Sequence, residues 1–119
     1  MVIEDDRRLH KRLPVRTSLH CRRLGRGGFD ETVTSADLSS GGALLEADRR
    51  LDVGDVVMLE VEIGGFALGL KGLVIATREL PNNRVRNRLV HVAFTGLSPD
   101  RLEALGNLLD AWEREASDA

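Results

Sequence analysis

Between residues 15 and 22 the chain alternates: Val15, Thr17, Leu19 and Cys21 fall on one side, Arg16, Ser18, His20 and Arg22 on the other. A period of two is that of a strand with one face buried. Gly25, Arg26, Gly27 and Gly28 then supply a turn, and residues 29–36 return as a second strand, so the pair reads as a hairpin. Residues 42–47 form a short third strand. Asp52, Val53, Gly54 and Asp55 make a turn, and the run 56–63 follows as a fourth strand. Gly64 and Gly65 turn the chain again. Residues 68–78 and 86–94 complete the set, joined across Pro81, Asn82 and Asn83. Six strands with short connections and no helix between them predict an all-β fold, an antiparallel sandwich or barrel.

The last segment changes period. Ser98 is a good N-cap, Pro99 suits the first helical position, and Asp100 complements the helix dipole. Leu102, Leu105, Leu109 and Trp112 recur at helical spacing, with Leu108 beside them. The expected helix packs on the β structure or closes one end of it.

Composition adds limits. The 119 residues suit one domain, and 42% hydrophobic with 30% charged residues is globular composition. The single cysteine, Cys21, excludes an internal disulfide and a cysteine-based zinc site, and it suits the cytoplasm. His10, His20 and His91 have no metal-ligand spacing, so no metal or cofactor is expected. No apolar run is long enough to span a bilayer. Few aromatics and no tyrosine argue against a nucleic-acid binder built on stacking platforms. No nucleophile elbow, HExxH pair or Walker loop is present, so an enzyme is not expected. Charge is uneven: residues 1–30 carry net +4, the remainder net −6. That asymmetry points to a local anion site.

Two segments carry candidate chemistry. The first is Arg7, Arg8, Leu9, His10, Lys11 and Arg12. Guanidinium forks bind phosphate bidentately and read the O6/N7 edge of guanine. A solvated basic tail would look the same. The second is Asp37, Leu38, Ser39, Ser40, Gly41 and Gly42, between two strands. Asp37 can accept hydrogen bonds from a base, Ser39 can donate or accept, and Gly41 and Gly42 allow a tight turn and close backbone approach. A polar turn uses the same residues.

Taken together, Arg8-x-x-x-Arg12 and Asp37-x-Ser39-x-x-Gly42, separated by a strand pair, resemble the bipartite motif of the PilZ domain family. The likeness runs from about residue 7 to 115 and includes the six-strand pattern, Gly54 between strands, the strand ending at Phe94 and the final helix. It implies a six-stranded antiparallel PilZ-type β-barrel with a C-terminal α-helix, binding the bacterial second messenger cyclic di-GMP. It assigns Arg8 and Arg12 to the phosphates and guanines, with Arg7 adding a contact. Asp37 and Ser39 meet guanine or phosphate, Gly42 keeps the surface open, and Gly41 counts with them among the ligand-binding residues. The resulting plan is a flexible basic arm over residues 1–13, a barrel with helix over 14–116, and a tail over 117–119.

The implied mechanism is a switch: ligand draws the arm onto the barrel and makes a new surface for an effector protein in trans. Motility or biofilm control is the expected output, in a cytoplasmic monomer or homodimer with no membrane insertion. The competing expectation is a PilZ-like adaptor that binds proteins without ligand.

Overall fold

In the expected strand over residues 15–22, the inward phase falls on Leu19 and Cys21, and both are buried. The computed structural model describes residues 17–25, 30–47, 50–63, 65–80 and 88–118. Arg7, Arg8 and Arg12, and the whole arm over 1–13, lie outside the described residues.

The elements run β1 (Ser18–Leu24), β2 (Asp30–Leu38), β3 (Gly42–Ala47), β4 (Val56–Ile63), β5 (Phe66–Glu79), β6 (Arg88–Phe94) and one helix, α1 (Pro99–Asp118). All six pairings are antiparallel, and the order β1-β2-β3-β6-β5-β4 closes on itself. The expected barrel with its terminal helix is therefore the architecture. β3 and β4 match the expected spans. β5 begins two residues earlier than read, at Phe66, because its start pairs with Ile63 across the tight turn. The helix runs to Asp118, two residues past the boundary at 116.

Alternation fills the barrel. Val33, Ala43, Leu45, Ala47, Val57, Leu59, Val61, Leu70, Val74, Val90 and Val92 all point inward and are buried. Their burial supplies the main driving force for closure. At the end where β2 meets β3, α1 packs against β4 and β5. Ser98 caps the helix as expected, its Oγ accepting from Arg101 N at 3.2 Å. Leu105 and Leu108 join the core, but Leu102, expected on the buried face, is 47% exposed. Arg101 donates to the Gly69 carbonyl, which fastens the first turn to β5, and burial starts at Leu105.

The opposite end is closed by side chains from the segment between β3 and β4. Leu51 is fully buried there. Arg23, on the inward phase of β1, pairs with Asp55 at 3.2 Å, and both side chains are about nine-tenths buried. Arg88 reaches Asp52 at 3.1 Å, Glu79 at 2.9 Å and the Leu51 carbonyl at 3.1 Å. Arg23 belongs to the net-positive stretch 1–30, yet its charge is neutralised inside this end.

Candidate functional site

The Asp37 segment owes its shape to a bulge. On β2, Ser35 faces inward and is fully buried. Strict alternation would send Asp37 inward too. The register slips between Ser35 and Asp37, so Ser35 pairs with Leu45 and Asp37 with Leu44. One extra residue, Ala36, reverses the phase. Leu38 takes the inward place, fully buried, and Asp37 turns to the outside, half-buried.

Ser39 to Gly42 closes a two-residue hairpin. Ser39 N–H donates to the Gly42 carbonyl at 2.9 Å. The Ser39 hydroxyl accepts from Gly41 N and Gly42 N, both at 3.2 Å, and donates to the Gly42 carbonyl at 3.3 Å. A hydroxyl has one proton and two lone pairs. All three are engaged within the turn, and Ser39 is 6% exposed. Sequence reasoning assigned Ser39 to a ligand; the structure places its hydroxyl on the backbone that presents Gly41 and Gly42. Gly42 has a steric reason: a Cβ there would stand 2.2 Å from the Val92 carbonyl oxygen. Gly72 on β5 is constrained from the other side, where a Cβ would meet Val92 Cγ1 at 2.3 Å. The Gly41 carbonyl accepts from Phe94 N at 2.9 Å, which locks the turn to the end of β6.

Thr17 lies beside this segment. Its N–H donates to Ser35 Oγ at 3.1 Å, and its carbonyl accepts from Ser35 N at 2.9 Å. Thr17, the first described residue, is thus fastened to β2 two positions from Asp37.

Among the described residues, grooves mark the outer wall. One, of about 460 Å³, is lined by His20, Glu60, Val61, Glu62, Ala67, Leu68 and Gly69. There each His20 ring nitrogen faces a carboxylate, Nδ1 toward Glu60 at 3.1 Å and Nε2 toward Asp30. Another, of about 330 Å³, is lined by Leu44, Ala76, Thr77, Arg78, Leu89 and His91. Leu44, Arg78 and His91 had no functional reading in the sequence. Outward phase on β3 and β6 was the available signal for Leu44 and His91. A second slip, between Val74 and Ala76, hid Arg78.

Cys21, on the inward face of β1, is fully buried. Burial, with a smaller contribution from the Asp30 charge, pushes its thiol up to about 12. It is inert packing, not a nucleophile. Among the described residues no group of His, Cys, Asp and Glu side chains could hold a metal, and no helix is long and apolar enough to cross a membrane.

Solved structures share this architecture. The PilZ domain of YcgR from Escherichia coli, determined with c-di-GMP, aligns with a TM-score of 0.68 at 22% identity, covering 94% of this chain and 95% of that one. The PilZ domain of CeSA from a cellulose synthesizing bacterium aligns at 0.66 and 20% identity, over 86% and 97% of the two chains. The Bacillus subtilis inhibitor of motility, MotI/DgrA, aligns at 0.68 and 15% identity, over 93% of this chain and 52% of its own. This chain thus spans nearly all of the isolated domains and about half of that longer protein. At such identities the likeness is one of fold. No curated protein sequence matches significantly. The PilZ domain family model matches residues 6–111, the stretch that holds both the arginine segment and the bulged Asp37 strand, and the chain belongs to that family.

Proposed function

We propose that this chain is a non-enzymatic receptor for cyclic di-GMP that passes its signal to a protein partner. The observation that carries the reading is the placement of Asp37. It is turned outward by the Ala36 bulge, near Thr17, which follows Arg12 by five residues in the sequence. Arg12 lies five residues before Thr17, a span of at most about 17 Å, and Arg8 can reach about 30 Å. Both therefore reach a ligand seated at Asp37. The fold likeness to the YcgR PilZ domain determined with c-di-GMP supports the ligand class.

In this reading Arg7, Arg8 and Arg12 supply charge-assisted hydrogen bonds to phosphates and guanine edges. Asp37 accepts from a guanine, and Gly41 and Gly42 let the ligand approach the backbone. Ser39 acts by holding that turn. Ligand draws residues 7–12 onto the barrel, and the combined surface is what an effector reads. The proposed place of action is the cytoplasm.

Calorimetric titration with cyclic di-GMP, with cyclic di-AMP as control, tests the proposal. Selective binding that is lost in Arg8→Ala, Arg12→Ala and Asp37→Ala supports it. No binding by the folded wild-type chain at high micromolar ligand overturns it and leaves a protein-binding adaptor.

A further inference from the structure

We propose that the outer wall of β1, β4 and β5 is a docking surface for an acidic amphipathic helix of a partner protein. Leu24, Val56 and Leu73 take its apolar side chains, and Arg22 and Lys71 take its carboxylates. The surface deepens the relay to a protein partner and rests on that reading, but it shares no residue with the ligand site.

Register lays the wall out in rows. Leu24 pairs with Val56, Val56 with Leu73, Leu73 with Ala93, and Ala93 with Gly42. The inward phase belongs to their buried neighbours Val57, Val74 and Val92, so this row stands outside. From β1 round to β3 it carries only apolar residues. It runs beside the row that starts at Asp37 and continues through Leu44 and His91. Ile75, the extra residue of the slip on β5, borders it. Gly54 N–H donates to the Val74 carbonyl at 2.9 Å, which brings the turn holding Val53 alongside. Val53 is 61% and Ile75 44% exposed. Among the described residues, only Leu102 is another exposed large hydrophobic, so such side chains cluster at this edge.

The next row is Arg22, Met58 and Lys71. Arg23, Arg50 and Arg88 are held by carboxylates. Among the described residues Arg22 and Lys71 have no such partner. Asp30 stands in register with Arg22, but its carboxylate is directed at His20. Met58, between the two cations, is an adaptable apolar contact. One row further on, Glu60 stands at the centre beside His20.

These spacings match a helix laid across the strands. Strands lie about 4.8 Å apart, and a helix advances about 5.4 Å per turn, so its side chains at i, i+3 or i+4 and i+7 meet β1, β4 and β5 in turn. Arg22 and Lys71 are two strand spacings apart, roughly 10 Å, which is the rise of about seven helical residues. Adjacent outward rows are about 7 Å apart, so one helix about 10 Å wide touches both. An anionic bilayer or a nucleic acid would extend over the Glu60 row and meet repulsion there. A narrow acidic partner does not. The apolar row ends at Gly42, roughly 10 Å from Leu73, so a partner seated on it also reaches the edge of the motif turn.

Fluorescence anisotropy on the full chain, with and without cyclic di-GMP, tests the surface. The probe is a labelled synthetic helix of about 18 residues, with a leucine stripe and glutamates about seven residues apart on one flank. The same peptide with glutamine or lysine for glutamate is the comparator. The variants are Arg22→Gln with Lys71→Gln, Leu73→Ser, and Arg114→Gln at the far end of α1 as the control, each checked by thermal melting. The glutamate peptide should bind best, and the double variant and Leu73→Ser should each weaken it about fivefold or more. Arg114→Gln should not. Peptide binding unmoved by the double variant and by Leu73→Ser overturns the surface. So does absence of binding by the wild-type chain at about 1 mM peptide, with and without cyclic di-GMP. Self-association of the chain that the same variants abolish assigns the wall to a second copy and overturns the partner helix. Retention on phosphatidylserine vesicles without peptide binding overturns it in favour of a membrane. Calorimetry with cyclic di-GMP separates the two readings. Peptide binding without cyclic di-GMP binding spares the surface and overturns the receptor, and the reverse result overturns the surface alone.

Discussion

The two outer grooves differ less in shape than in what their charges already do. The groove beside β4 is the larger, yet its histidine sits between Glu60 and Asp30, and Glu62 adds another carboxylate. An anion meets repulsion there. The groove beside β6 is smaller, carries Arg78 and His91 on an apolar floor, and joins the Asp37 row. Volume alone would choose the more acidic face. Charge that is already paired within the fold offers little to a ligand, and charge left over offers a site.

The comparison can be broken most severely at Gly42. A methyl there cannot coexist with the Val92 carbonyl 2.2 Å away, so Gly42→Ala must part β3 from β6. The expected loss is about 4 kcal/mol by urea denaturation, in the range of the most damaging single changes. Ligand binding should disappear with it.

Ser39→Ala tests the same face more gently. Removing the hydroxyl strips the Gly41 and Gly42 amides of their acceptor, at a cost of about 2 kcal/mol. The turn loosens, so cyclic di-GMP affinity should fall as well. A change in stability with affinity intact would show that the turn does not shape the site.

The opposite face is sharpened through Cys21, which lies on the inward face of β1 near Asp30. The folded chain holds the thiol proton up to about pH 12, whereas the unfolded thiol releases it near its ordinary 9.0. Protein stability should therefore be complete below pH 9 in this respect and fall as pH climbs from about 9 toward 12. Urea midpoints at pH 8 and pH 10 read it, and Cys21→Ala should flatten the difference. Smallest of all is Glu60→Gln. It removes an exposed carboxylate from the paired groove, changes stability by about 0.5 kcal/mol or less, and leaves ligand affinity within about twofold.

Much of this architecture could be read from alternation. Leu19 and Cys21, the run 56–63 and the Ser98 cap all behave as their patterns predict. What could not be read depends on partners distant in sequence. A bulge at Ala36 or Ile75 exists only relative to the strand beside it, and each reverses which neighbours face outward. Arg23 looked like part of a basic segment because Asp55, which neutralises it, lies 32 residues away. The motif spacing located Asp37, Ser39 and Gly42 but not their division of labour. Asp37 faces outward, Ser39 fastens the turn, and Gly42 clears space for β6.

The order β1-β2-β3-β6-β5-β4 returns to its start. An open sheet offers an unpaired backbone rim, onto which another chain can add a strand with little regard for sequence. A ring of strands has no such rim. Association through the wall must then be decided by side chains, one residue at a time. If the proposed receptor reading holds, that closure removes the commonest unspecific route to a partner before any recognition begins.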